Sequence, residues 1–250
     1  MLKPALDLAT LFIRHPAWSM SAAARGLASA RAEGTARYKY GLRHVYHHRL
    51  DPRLERLAVE IGAASYVDHL KALIVTRFCK LLNAKRVLEI GTFRGGMTAH
   101  IARNTSAVCQ IFTLDLPRAI LNSVAAAMFP SDVDLARLDE RLVGIEWHTI
   151  PERHKIQQLW GDSMSYDFSA LSPFEVIYID GSHAEPWVQK DTENAFKALA
   201  PTGAILWDDA LWSDVQRVLG RFARGRPIYL FEDDQTAGYL QFEGNPVQLT

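Results

Sequence analysis

The sequence predicts a doubly wound α/β domain: a mostly parallel, seven-stranded sheet with helices on both faces and an antiparallel pair at one edge, preceded by a helical N-terminal segment. Three observations carry this expectation. From Arg86 onward, short apolar runs alternate with amphipathic stretches, the pattern of parallel strands joined by right-handed crossovers. The first run ends in a glycine-rich turn that leads straight into a helical pattern. Acidic residues recur where successive runs end.

The first strand and its turn, Arg86–Thr98, read R-V-L-E-I-G-T-F-R-G-G-M-T. Val87, Leu88 and Ile90 are apolar on both parities, as expected of a strand buried on both faces. Gly91 ends the run, and Gly95-Gly96 open a helix carried by Met97 and Ile101. A strand, a tight turn and a helix N-terminus together expose backbone amides to a ligand, and Gly91 lacks the Cβ that would block its approach. A dinucleotide fingerprint, G-x-G-x-x-G, needs a second glycine where this chain has Phe93, so a pyrophosphate would meet a side chain.

Strand two is expected at Ile111–Asp115, three at Ile156–Trp160, four at Val176–Asp180 and five at Ala204–Asp208. The helix after strand four opens at Pro186 and turns Val188, Ala195, Phe196 and Leu199 inward. Pro201-Thr202-Gly203 is read as the turn into strand five. Ser213 is expected to cap the next helix, with Val215, Val218, Leu219 and Phe222 facing the core. Ile228–Phe231 and Ala237–Phe242 supply the antiparallel pair. About 40 residues, 116–155, separate strands two and three, more than an ordinary connection holds. Ser131–Leu142 reads as an inserted helix, and the whole insertion is placed to be a lid or acceptor-binding element.

Ahead of this domain, assigned to residues 55–250, lies a leader of residues 1–54. Leu8, Leu11 and Phe12 recur at helical spacing, Pro16 breaks the run, and a further helix is expected over Ser65–Leu82. Formal charge over the whole chain is zero, but residues 1–50 hold eight Lys/Arg against only Asp7 and Glu33. A basic leader suits a solvated face, docking on the acidic remainder, or peripheral contact with an anionic membrane surface. No run reaches the ~18 apolar residues of a spanning helix. Cys79 and Cys109 show no metal or redox spacing, so a cytoplasmic, reducing setting is expected. His47 and His48 are adjacent and point in different directions, which argues against a metal pair.

The chemistry lies in the acids at the strand ends. Asp115 is placed to reach ribose hydroxyls of a nucleoside-like ligand, and Asp162 an adenine amino group with Trp160 as apolar cover. Either acid could instead cap a turn. Strand four runs into Y-I-D-G-S-H and strand five into L-W-D-D-A, so Asp180, Asp208 and Asp209 could converge. Converging carboxylates repel unless a cation compensates, and an all-oxygen set suits Mg²⁺. His183, three residues past Asp180, is a candidate base for an acceptor hydroxyl.

From Asn83 to about Phe242 the chain resembles class I S-adenosylmethionine (SAM) methyltransferases, in particular bacterial small-molecule O-methyltransferases related to those acting on macrolide sugars, catechols and caffeoyl-CoA. N-A-K-R-V-L-E-I-G-T-F-R-G-G-M-T is similar to their first motif, I-D-G-S-H to their strand-four end, and Leu199–Gly203 to the L-x-P-x-G before strand five. The resemblance implies a Rossmann-like fold. It implies Glu89, Gly91, Thr92, Phe93 and Gly95 around the methionine part of SAM, Asp115 at its ribose, and Asp162 with Ser163 at its adenine. It implies Asp180 near the cofactor and, with Asp208 and Asp209, at the metal positions of the metal-dependent members. Asp180 and His183 would be catalytic, and Ser182 stands where sugar-modifying relatives have an Asp. The expected reaction is methyl transfer to a hydroxyl of a small molecule, assisted by Mg²⁺ or, alternatively, with His183 alone as base. A non-catalytic SAM-binding scaffold is the rival from another class. No N-P-P-Y-type segment follows strand four, so nucleic acid is not the expected partner, and a homo-oligomer is compatible with the sequence.

Overall fold

A computed structural model describes residues 42–62, 67–137 and 139–249. The expected leader helices, the start of the Ser65–Leu82 helix and Leu138 of the inserted helix lie outside the described residues. The described residues belong to one compact unit, Tyr40–Thr250, which is the α/β domain.

Its strands are β1 (Arg43–Val45), β2 (Arg86–Ile90), β3 (Gln110–Asp115), β4 (Ile156–Trp160), β5 (Phe174–Ile179), β6 (Leu199–Trp207), β7 (Tyr229–Phe231), β8 (Ala237–Phe242) and β9 (Asn245–Pro246). They form one sheet in the order β1-β7-β8-β6-β5-β2-β3-β4, with β9 paired to β8. The pairs from β6 through β4 are parallel, whereas β8 runs antiparallel to both β6 and β7. The chain leaves β2 for β3 on one side and returns through β5 on the other. The sheet therefore reverses its winding beside β2, and such a switch point opens a crevice at the carboxyl ends of the strands.

Among the described residues there are nine strands where seven were expected. The two additions are short. Arg43–Val45, read as part of the leader, pairs parallel to Tyr229–Phe231 and so belongs to the domain sheet, and Asn245–Pro246 closes a terminal hairpin. Strand five also starts earlier than expected. Leu199 already pairs with Phe174, so Pro201-Thr202-Gly203 is absorbed into an irregular stretch of β6 rather than forming a separate turn.

The helices are α1 (Arg53–Arg56), α2 (His69–Leu81), α3 (Gly96–Asn104), α4 (Arg118–Val124), α5 (Pro130–Ala136), α6 (Glu185–Ala198) and α7 (Ser213–Phe222). The central strands alternate their side chains between two apolar layers. Leu88, Ile90, Phe112, Ile177, Ile179, Ile205 and Trp207 join the layer beneath α6 and α7. Val87, Ile111, Val176, Tyr178, Ala204 and Leu206 join the layer beneath α2 and α3. This two-sided burial is why the central strands read as continuous apolar runs rather than alternating ones. The insertion divides into α4, α5 and short 3₁₀ turns, so the expected Ser131–Leu142 helix is broken after Ala136. No helix among the described residues is long and apolar enough to cross a membrane.

Candidate active site

Hydrogen bonds that continue the sheet past its strands hold the carboxyl ends in a row. Gly91 N–H donates to Leu114 O (2.8 Å), Asp180 N–H to Ile90 O (2.8 Å), Asp208 N–H to Ile179 O (2.9 Å) and Gly161 N–H to Asp115 O (3.0 Å). The residues expected at the site from strands β2 through β6 therefore lie along one edge of the sheet. Gly91 is required there. Its φ is +99°, and a Cβ on it would stand 2.0 Å from the carbonyl oxygen of Asp180, a clash of backbone that no rotamer relieves.

Glu89 and Thr92 lie beneath this edge. Glu89 pairs in register with Thr113 and Tyr178, on the face turned to α3. Thr113 Oγ1 donates to Glu89 Oε2 at 2.7 Å, and Thr98 Oγ1 from α3 donates to the same oxygen. Each hydroxyl has one proton, so Thr92 Oγ1 donates to Thr113 (2.7 Å), and Gln158 Nε2 in turn donates to Thr92 (2.9 Å). Burial raises Glu89 to about 7 despite the two hydroxyl donors. The chain from Gln158 to Glu89 ties β4, β2, β3 and α3 together under the glycine turn.

Asp115 clamps that turn from β3. Its Oδ2 accepts from Phe93 N–H and its Oδ1 from Leu116 N–H, both at 2.7 Å. Phe93 has φ +46°, a left-handed conformation that this clamp supports. Burial raises Asp115 to about 6, against the pull of those amides. A carboxylate accepts up to four hydrogen bonds, so capacity for a ligand hydroxyl remains. Asp162 accepts from Met164 N–H (3.0 Å) and from Trp187 Nε1 (3.3 Å), and Ser163 beside it is buried. Trp160 is 45% exposed.

The insertion lies directly on the glycine turn. Gly144 N–H donates to Phe93 O (2.8 Å) and Glu146 N–H to Arg94 O (2.9 Å). Trp147 packs against Gly95 so closely that a Cβ there would stand 2.3 Å from its ring, at φ +80°.

The acids of β5 and β6 meet as expected, with one partner that local sequence does not reveal. Ligand oxygens of Asp180 and Asp208 lie within 4.8 Å of each other, and Asp180 accepts from Tyr178 Oη at 3.3 Å. Lys71 reaches in from α2, its Nζ 2.5 Å from Asp208 Oδ1 and 2.7 Å from Oδ2. Burial and the Asp208 charge hold Asp180 well above the carboxylate range. Burial would raise Asp208 as well, but the Lys71 charge outweighs it and holds that carboxyl low. Ligand atoms of Asp180, His183 and Asp208 lie within 4.8 Å of one another, whereas Asp209 enters the cluster through His183, its Oδ2 3.7 Å from Nε2. Lys71 Nζ thus stands against both oxygens of Asp208, one of the three residues whose ligand atoms lie close enough to share an ion.

His183 is held by a second residue that sequence reasoning missed. Asp132, on α5 of the insertion, accepts from His183 N–H at 2.9 Å, and its Oδ1 lies 3.3 Å from His183 Nδ1. Ser182 Oγ donates to the same carboxylate at 3.0 Å, which is what that residue does in place of an Asp. His183 Nε2 is buried without a hydrogen-bond partner. Its ring lies 4.9 Å from that of Trp212, which in turn stands edge-on to Phe129 at 5.6 Å. Burial works against a charged imidazole here, but Asp132, Asp209 and Asp208 outweigh it and raise His183 above 6.5.

His47 and His48 approach Asp233, the one other acid–histidine cluster among the described residues. His47 Nδ1 bonds to Asp233, while Arg77 Nη1 stands 3.2 Å from its other nitrogen. Both ring nitrogens of His47 are thus engaged.

Residues 88–210 match the model of a family described as a methyltransferase domain. A comparison with curated proteins finds no match. Among solved structures, a Staphylococcus aureus protein assigned as a caffeoyl-CoA O-methyltransferase is similar at 16% identity and a TM-score of 0.50, over 78% of this chain and 90% of that one. The Streptomyces achromogenes O-methyltransferase TomG, involved in tomaymycin synthesis and solved with SAM, is 16% identical over 77% of this chain and 96% of its own, at a TM-score of 0.49. A Bacillus cereus O-methyltransferase solved with S-adenosylhomocysteine is 15% identical over 78% and 90%, at a TM-score of 0.45.

Proposed function

We propose that this chain, residues 88–210 of which match a methyltransferase-domain family, is a class I SAM-dependent methyltransferase that methylates a hydroxyl of a small molecule with His183 as the base. The observation that carries this reading is the state of the His183 ring. Asp132 holds the Nδ1 edge, which places the proton of the neutral imidazole there, and Nε2, which makes no hydrogen bond, faces the carboxylates of Asp209 at 3.7 Å and Asp180 at 4.0 Å. A ring oriented by a carboxylate through one nitrogen, with acids beside the other to stabilise an added proton, is built to act as a base.

The carboxyl ends of β2, β3 and β4 fit SAM. They offer the backbone of a tight glycine turn, packed against the Asp180 carbonyl at Gly91 and the Trp147 indole at Gly95, and the carboxylates of Asp115 and Asp162 for hydroxyl and amino groups. When bound, SAM supplies a methyl carbon already activated by its sulfonium, so the protein's task is alignment and proton removal. Asp132, Asp209 and Asp208 surround the base and favour its protonated form after transfer. Phe129 and Trp212, one from the insertion and one from the loop after β6, give an aromatic wall beside His183. That wall supports a phenol, sugar or polyketide-like acceptor. Cys79 and Cys109 are buried and unpaired, which supports a cytoplasmic setting.

The test is calorimetry with SAM followed by transfer of labelled methyl to small-molecule extract fractions. The expected result is one SAM bound per chain and labelled product, with transfer lost in His183→Ala while SAM binding persists. A chain that does not bind SAM, or a His183→Ala variant that transfers at the wild-type rate, overturns the reading.

A further inference from the structure

We propose that Lys71 stands where a divalent cation would otherwise sit, as the resident counter-ion of the acids ending β5 and β6, so that methyl transfer proceeds without a metal. The metal-independence clause rests on the function proposed above; the assignment of Lys71 as counter-ion does not.

Geometry argues for this directly. Nζ contacts both oxygens of Asp208, so it occupies the position of a cation shared by the two. The pair is shielded, with 17% of the Lys71 side chain and 7% of the Asp208 side chain exposed. The lysine is also anchored. Ala72, Ile74, Val75 and Phe78 bury the inner face of α2 in the core, and Asp68 caps the helix start by accepting from Leu70 N–H at 2.8 Å. An ion ligated by Asp208 together with Asp180 and His183 would lie about 2.0–2.2 Å from each ligand atom. It would then stand almost against the ammonium, and two like charges in a shielded site repel strongly.

The test is a Mn²⁺ titration of the full chain, followed by electron paramagnetic resonance and calorimetry, with SAM binding measured in the same samples. Wild type is expected to take up no Mn²⁺ below the millimolar range. Lys71→Met, which keeps the length of the side chain and removes its charge, is expected to bind one Mn²⁺ per chain at least roughly a hundredfold more tightly. Stoichiometric micromolar Mn²⁺ binding by wild type overturns the proposal, and that arm needs no variant to fold. A folded Lys71→Met that binds SAM but gains no Mn²⁺ overturns it as well. Failure of SAM binding alone would strike at the proposed function and leave the Mn²⁺ result standing.

Discussion

Asp132 and His183 are joined twice: the carboxylate of one accepts from the backbone N–H of the other at 2.9 Å and engages its ring Nδ1 at 3.3 Å. One bond fixes the loop after β5 and the other fixes the imidazole. The proposed base is thereby tied to α5, within the segment inserted between β3 and β4. Removing the carboxylate should cost turnover more than binding. Asp132→Ala is expected to lower kcat by about 10- to 100-fold, and His183→Ala by about 100-fold or more, with the affinity for SAM unchanged in both. Steady-state kinetics alongside calorimetry checks this; a loss confined to KM for SAM would contradict it.

The dependence of rate on pH follows from the same pair. The base works only when neutral, and its acidic neighbours raise its pKa above 6.5. Log(kcat/KM) should therefore rise with unit slope as pH climbs through that raised value and then level off. Asp132→Asn removes a neighbouring negative charge, so the rise should move to lower pH. Its plateau should also drop, because an amide can donate to Nδ1 and so favour the unproductive tautomer. A profile that keeps its midpoint in Asp132→Asn would remove His183 from the base's role.

Glu89 predicts a stability change of determinable sign. Its carboxyl rises from the ordinary 4.5 to about 7 on folding, chiefly through burial. Between those values the native state holds more protons than the unfolded one, so stability falls as pH rises through the window and levels off above it. The full loss corresponds to about 3 kcal/mol, at 1.36 kcal/mol per unit of pKa. Glu89→Gln should match wild type more closely near pH 5 and exceed it near pH 8, as read from urea unfolding at both pH values. Because other buried acids are common to both proteins, parallel pH curves would count against the burial argument.

How much of this was legible in sequence depended on range. The placement of Asp115, Asp180 and Asp208 at strand ends followed from apolar runs of five or six residues, which period and composition identify. Strand parity also carried information: Glu89 shares a parity with Val87 and not with Leu88 and Ile90, which puts it on the α3 side. Lys71 was not legible, because it meets Asp208 across 137 positions, and nothing in D-H-L-K-A-L distinguishes it from a surface lysine. Asp132, 51 positions before His183, reads locally as an acid in the first turn after Pro130, the ordinary place for one. Arg43–Val45 is three residues long and pairs with a strand near the other end of the chain, so no local pattern announces it.

Two glycines separate backbone necessity from turn preference. At Gly91 a Cβ would strike the Asp180 carbonyl at a φ of +99°, whereas at Gly225 nothing lies within 4 Å. Gly91→Ala is expected to destabilise by more than about 2 kcal/mol, because either β2 or the Asp180 loop must move. Gly225→Ala should remain within about 0.5 kcal/mol of wild type. Thermal unfolding of the two variants side by side decides it, and equal losses would refute the contact at Gly91.

Trp147 links the insertion to cofactor binding. Its indole lies over Gly95 and Gly144, and the backbone on either side of the turn is bonded to the same segment through Phe93 O and Arg94 O. The glycine turn is thus braced from outside by Trp147 and from beneath by Asp115. Trp147→Ala removes the outer brace and leaves both backbone bonds and the Asp115 clamp in place. The turn then has more conformations to lose on binding, so affinity for SAM should fall by about tenfold, a cost of ordering. Calorimetry should show a larger entropic penalty, and hydrogen exchange at Gly95 and Gly96 should quicken in the free variant. Weaker binding without faster exchange would mean that the indole touches SAM itself rather than bracing the turn.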